Sequence, residues 1–336
     1  MFDYLIVGAG LFGATCARLL TEAGKQVSVI ERRSHIAGNC HDTRIDGVLV
    51  GCFGGHIFHT NSERIWRFVS QYAEWQPYEH RVKAYAGGQV YSFPPNRLTA
   101  QQLGIKITDD NAQDIIRRKF FIGYSEKQWG RPYSEIPASV IKRIPIRDNY
   151  DDRYFSDRYQ AMPRDGYTAL VRSMLYGINV ETGIDYLHDL PYWSNKARAV
   201  IYTGAIDQLF EYSLGRLEYR SLKHDTELSY DDGLGCATMN FCDAGIPYTR
   251  VISWRHIGYQ DGGAWITTRE YPADRGEPYY PVPTDENIQL YKLYETMLRD
   301  EMPGVHAGGR LGMYRYLNMD QAIGAAMTLV GRLVNG

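Results

Sequence analysis

Short apolar runs alternate along the chain with polar, glycine-bearing breaks, and their spacing lays out its elements. Residues 3–7 form a bounded apolar run of the kind a buried parallel strand needs, and Gly8-Ala9-Gly10-Leu11-Phe12-Gly13 follows at once. A helical pattern runs over 14–23, and a second apolar run, 27–30, ends at Glu31. Further on, the pattern predicts a strand over 45–50 and a helix over 64–72 capped by Asn61-Ser62-Glu63. Alternation over 81–93 about Gly87-Gly88 predicts a hairpin, closed by Pro94-Pro95. Helical periodicity is expected over 99–121, 166–175, 283–301 and 321–334, and short strands over 178–180 and 199–203. Residues 217–271 are rich in β-formers and turn signals, which predicts an antiparallel sheet. Patterns switch without long linkers or repeats, so the domains are expected to be interleaved.

The opening β-α-β segment has a physical reading. Gly8 allows a tight turn, Gly10 lets a pyrophosphate approach the backbone, and Gly13 lets helix and strand pack closely. The helix N-terminus offers free N–H groups to phosphate, and Glu31 can accept from a ribose hydroxyl. This is a dinucleotide-binding pattern; alone it does not separate NAD from FAD. The 336 residues balance 37 Lys and Arg against 39 Asp and Glu, for a net charge of −2, which argues against a general nucleic-acid or membrane-surface role. Five cysteines without a C-x-x-C pattern suit a reducing compartment. No basic leader precedes an apolar segment, and no stretch approaches the roughly 18 apolar residues of a membrane helix, so a cytoplasmic location is expected.

Arg32 and Arg33, just past Glu31, suit an adenine nucleotide. Residues 51–60 pack three glycines with His56 and His59, which implies close backbone approach to something flat or charged; no Cys or acid nearby completes a metal set, and no metal is expected. Residues 120–130 are dense in aromatics, 141–147 are basic and interrupted by Pro145, and 151–160 interleave tyrosines with arginines. Such segments can stack a base and hold a diphosphate. Gly308-Gly309 before a helix is a second anion-binding signature.

Seven strings carry a resemblance to the UDP-galactopyranose mutase family over essentially the whole chain. They are Gly8-Ala9-Gly10-Leu11-Phe12-Gly13, His56-Ile57-Phe58-His59-Thr60, Gly123-Tyr124-Ser125-Glu126-Lys127-Gln128-Trp129, Asp152-Arg153-Tyr154-Phe155-Ser156-Asp157, Pro247-Tyr248-Thr249-Arg250, Glu277-Pro278-Tyr279-Tyr280-Pro281 and Gly308-Gly309-Arg310-Leu311. The resemblance implies an α/β fold: a Rossmann-like FAD-binding domain (1–82, 164–225, 303–336), a small helical substrate domain with a mobile loop (98–163), and an antiparallel sheet domain (83–97, 226–302). It implies FAD, active when reduced by an external donor such as NAD(P)H, and interconversion of UDP-galactopyranose and UDP-galactofuranose through a flavin N5–sugar C1 adduct. By the same resemblance, Arg143 (on the mobile loop), Arg250 and His56 are catalytic. Phe120, Phe121, Tyr124 and Gln128 surround the uracil, and Trp129 lies near the sugar. Tyr154, Tyr280 and Tyr316 give hydroxyls to the phosphates. The cofactor contacts are Gly8, Gly10, Phe12, Gly13, Glu31, Arg32, Asn39, His56, Gly309, Arg310, Asn318 and Met319.

Three departures from the family pattern matter. The stretch between Phe93 and Gly123 is short, and it belongs to the helical region that usually makes the dimer contact, so a monomer is expected. Asn318 stands where many relatives have Asp, and Asp320 where they have His; Ala37 replaces a frequent glycine. The alternatives are a mutase for an N-acetylated or 6-deoxy sugar nucleotide, an amine-oxidase-type flavin oxidoreductase, and a non-catalytic sugar-nucleotide-binding protein.

Overall fold

The structure is a computed structural model that describes residues 1–141, 144–229, 231–258, 260 and 263–335. Five short parallel strands form its first sheet, in the order Asn179–Thr182, Val27–Glu31, Phe2–Val7, Ala197–Tyr202, Val305–Ala307. Apolar runs buried on both faces are what such a sheet requires. On one face lie the helices Leu11–Glu22, Tyr167–Met174 and Met319–Asn335, packed through Ala14, Ala17, Leu170, Ile323 and Ala326. The helix Asp285–Glu301 covers the other through Tyr294 and Leu298.

A second sheet of seven strands runs Tyr280–Pro281, Tyr219–Ser229, Trp265–Ala273, Arg250–Ser253, Thr238–Phe241, Val82–Ala86, Gln89–Phe93. Its hairpin turns at Gly87-Gly88 with both φ angles positive, the geometry that matches strand twist. This sheet is mixed, not antiparallel throughout, because Thr238–Phe241 pairs in parallel with Val82–Ala86. That join brings a hairpin distant in sequence onto the edge of the 219–273 meander.

Two expected elements are corrected. The strand over 45–50 is a hairpin, Asp42–Ile45 with Val48–Gly51, turned by Asp46-Gly47, a pair suited to left-handed backbone. The helix over 99–121 starts at Arg97, boxed by reciprocal bonds between Asn96 and Thr99, and ends after Leu103 at left-handed Gly104. Helix resumes over Ala112–Ile116, widens into a π-helical turn at Arg117–Ile122, and continues over Gly123–Trp129. Among the described residues no helix is long and apolar enough to cross a membrane.

Candidate active site

The cleft starts where the strand Phe2–Val7 gives way to the helix Leu11–Glu22. Gly8 has φ +106°, and a Cβ there would lie 2.0 Å from Thr203 Oγ1, so only glycine makes this turn. A Cβ on Gly13 would sit 2.0 Å from the Gly8 carbonyl oxygen. The helix N-cap is Gly10, which gives no side-chain cap, so the first N–H groups face the cleft unspent. Gly8, Gly10, Phe12, Gly13, Glu31, Arg32, Asn39, His56, Gly309, Arg310, Asn318 and Met319 all line one open cleft with about 1330 Å³ of free space, mouth included. Every residue expected at the cofactor is therefore brought together. The cradle fits a dinucleotide such as FAD: bare backbone and helix N–H groups for the pyrophosphate, and a carboxylate at the next strand end.

Glu31 is buried, and its oxygens already accept from Ala9 N at 2.8 Å and Arg33 N at 2.9 Å. A carboxylate has further lone pairs, so ribose can still be met. Arg32 pairs with Glu277 at 2.6 Å at the mouth, and Arg33 donates to Asn39 Oδ1 at 3.0 Å while lying over Phe53. The second anion signature is corrected. Gly309–Gly312 is a single turn, and the long helix that presents its start to the cleft is Met319–Asn335, through Asn318, Met319 and Ala322. Arg310 donates to the carbonyls of Tyr279 (3.2 Å) and Leu317 (2.9 Å), which holds its guanidinium beside the Tyr280 and Tyr316 rings.

Register on the seven-stranded sheet builds the other half of the site. His224 pairs across to Glu270, Glu270 to Arg250, and Arg250 to Asn240, so four polar side chains from four strands share one face in one row. Arg250 Nη1 lies 3.6 Å from Glu270 Oε2, its Nε donates to Asn240 Oδ1 at 3.4 Å, and its Nη2 reaches Tyr124 Oη at 3.5 Å. His224 Nε2 is buried without a hydrogen bond, 3.9 Å from Glu270 Oε1. Gly54 (φ +96°) passes over this row so closely that a Cβ would be 2.5 Å from Glu270 Oε1. The glycine-rich run approaches a charged group, as its composition predicts; the group is a protein carboxylate.

His56 Nδ1 lies 3.1 Å from the Gly54 carbonyl oxygen. A carbonyl only accepts, so Nδ1 carries the proton and Nε2 keeps a lone pair. Burial, then the Arg310 charge, pushes the His56 pKa down to about 4, so the ring is neutral at pH 7. His59 is spent on structure: Nδ1 meets Asp157 Oδ2 at 2.9 Å and the ring stacks on Phe155.

The substrate-side expectations divide. Tyr124 stands beside Arg250, and burial raises its phenol pKa. Tyr280 stacks on Tyr316 with centroids 5.7 Å apart, next to Arg310, and Tyr154 packs edge-on against Phe155. Gln128 accepts from Thr249 Oγ1 at 3.3 Å, and Trp129 packs with Ile136 and Val282 against Tyr280. Phe121 packs on Phe93. Phe120 is corrected: it is 1% exposed, in the core with Tyr91 and Phe93, and supports the wall without offering it a face. Arg143 lies outside the described residues. Sequence reasoning missed Glu270 and His224. The available signal was phase: Ile266, Thr268 and Glu270 occupy the inward positions of one strand, so a carboxylate falls where apolar residues are expected.

Residues 119–316 match the family model for UDP-galactopyranose mutase, and residues 6–72 match that for an NAD(P)-binding Rossmann-like domain. The chain is 37% identical over 360 residues to a probable UDP-galactopyranose mutase of Klebsiella pneumoniae, covering 97% of this chain and 93% of that one. It is also 37% identical over 367 residues to the dTDP-fucopyranose mutase of Escherichia coli, covering 97% of each. Its fold is similar to a crystal structure of reduced UDP-galactopyranose mutase, with TM-score 0.79 and 14% identity over 99% of this chain and 94% of that one.

Proposed function

The chain belongs to the UDP-galactopyranose mutase family, and on that premise we propose that it interconverts six- and five-membered ring forms of a sugar nucleotide, with UDP-galactose as first candidate. The observation that carries this reading is the convergence of two half-sites on His56. His56 lines the dinucleotide cleft together with Arg310, and Gly54, whose carbonyl accepts from its Nδ1, passes over Glu270, the partner of Arg250 in the polar row. A sugar bonded to a nucleoside diphosphate fits such a junction, with its reacting carbon toward the cofactor and its phosphates toward the cations.

FAD, when bound and reduced, would supply an electron-rich nitrogen as covalent catalyst for a reaction with no net redox change. The side chains do the rest. Arg250, braced by Glu270 and Asn240, needs no reorganisation to meet the charge that grows on a departing diphosphate. Burial holds Tyr280 as a neutral phenol, so it can donate to a phosphate oxygen. Tyr154, Tyr316 and Arg143 complete the proposed diphosphate set, and Tyr124 with Gln128 and Phe121 the base site. His56 stays neutral, so it adds no cation to compete for the phosphates. On this reading the enzyme is a cytoplasmic monomer, reduced by an external donor such as NAD(P)H.

A second reading, a 6-deoxy sugar nucleotide as substrate, is favoured by the equal identity to the dTDP-fucopyranose mutase. A turnover panel of UDP-galactopyranose, UDP-N-acetylgalactosamine and dTDP-fucopyranose with reduced enzyme separates them. Turnover of dTDP-fucopyranose alone would overturn the first reading, and no turnover of any would overturn both.

A further inference from the structure

We propose that Lys127 is a positioning residue, an ammonium staple that fixes the helix carrying Tyr124 to the backbone leading into Arg250 and so sets the span between base and diphosphate. This rests on the nucleotide-binding reading above.

All three donors of an ammonium are accounted for. Lys127 Nζ donates to the carbonyls of Phe241 (2.8 Å), Ile246 (3.0 Å) and Tyr248 (3.0 Å), which span the turn entering the strand Arg250–Ser253. A compact cation with three diverging donors suits a nest of three carbonyls; the planar fork of an arginine does not. Burial pushes the Lys127 pKa down to about 8, with Cys242 and Asp243 pulling the other way, so the charge is held here against a desolvation cost.

The same turn is fixed on its far side, where Asp243 accepts from Gly87 N at 2.9 Å through both oxygens. On the helix side the fit is close. A Cβ on Gly123 would lie 2.6 Å from the Cys242 carbonyl oxygen, so the helix start touches the turn backbone. Its end is held by Arg220, which is buried, paired with Asp274, and donates from Nε to the Gln128 carbonyl at 2.9 Å. Lys127 lies between these points and is the charged link from helix to turn. Tyr124, one helical turn before it, is thereby held at Arg250.

A staple of this kind makes a specific prediction: it couples two ligand halves and leaves each half-site intact. Lys127→Met keeps the apolar stem and removes the donors. Its affinity for UDP, measured by calorimetry on the flavin-loaded protein, is expected to fall about 30-fold, the scale of a lost charge-assisted bond. Its affinities for uridine alone and inorganic pyrophosphate alone should stay within about threefold of wild type, because separate fragments do not sense the span. Lys127→Arg should recover part of the UDP affinity. UDP affinity unchanged in Lys127→Met overturns the staple and leaves the nucleotide reading standing. Fragment affinities that fall together with UDP overturn it too, by showing a general disturbance of the helix. A wild-type protein that binds no UDP overturns both. Should Lys127→Met lose its flavin, Lys127→Arg carries the same comparison, and full UDP affinity there would overturn the claim for diverging donors.

Discussion

Arg250 is anchored by protein groups, with Glu270 on one side and Asn240 on the other. Arg250→Ala is therefore expected to lower kcat by roughly 10²- to 10³-fold, the range for losing one preorganised donor, while flavin content stays at wild-type level. Unchanged steady-state kinetics would remove Arg250 from the reaction. Histidines carry a pH signature. Burial pushes the His80 pKa down to about 3, from an ordinary value near 6.5 in the unfolded chain. Between pH 6.5 and that lower value the unfolded chain binds a proton that the folded chain refuses, so stability falls with falling pH. The slope is on the order of 1 kcal/mol per pH unit. Thermal melts from pH 7 to 4.5 should show it, and His80→Phe should make it shallower by its own share while His56 keeps its part; an equal slope in the variant would refute the assignment. At this scale the residue types were legible in the sequence but their partners were not. Glu270 and His224 lie 46 positions apart and become neighbours only through strand register.

Elements follow the sequence where a local signal is complete. Gly8 with Gly13, Gly87 with Gly88, and Asn96 with Thr99 each define their turn or cap with residues in contact. Gly8→Ala combines a positive φ with a Cβ 2.0 Å from Thr203 Oγ1, so the purified variant should lack the flavin absorbance of the wild type. A fully yellow Gly8→Ala protein would contradict the cradle. Asn96→Ala removes the side-chain half of a buried capping box, leaving the backbone N–H at 96 bonded to Thr99 Oγ1, and should cost about 1 kcal/mol in chemical denaturation. Where periodicity continues through a break, the pattern misleads. Apolar residues on both sides of Gly104 simulate one helix, and the strand-like run over 45–50 hides the Asp46-Gly47 turn. The π-helical turn Arg117–Ile122, which carries Phe120 into the core, leaves no local mark in the sequence pattern.

At the scale of the whole molecule, the nucleotide-binding half was legible because its glycine spacing serves a backbone task. The mixed sheet was not, because the parallel join of Thr238–Phe241 to Val82–Ala86 unites segments with no sequence link. The outer strand Gln89–Phe93 is closed by Gln102, which accepts from Ser92 N and donates to the Val90 carbonyl. On the monomer reading, light scattering at micromolar concentration should return the mass of one chain; a stable dimer would refute it. On the reading proposed above, the two half-sites meeting at His56 serve ring interconversion of a sugar nucleotide on a reduced cofactor. The direct measurement is single-enzyme turnover of UDP-galactopyranose and dTDP-fucopyranose with the flavin held oxidised or reduced by dithionite. The expected result is a furanose product from at least one of them with reduced enzyme only and no reducing equivalent consumed per turnover. Equal rates with oxidised flavin, or stoichiometric consumption of reductant, would contradict it.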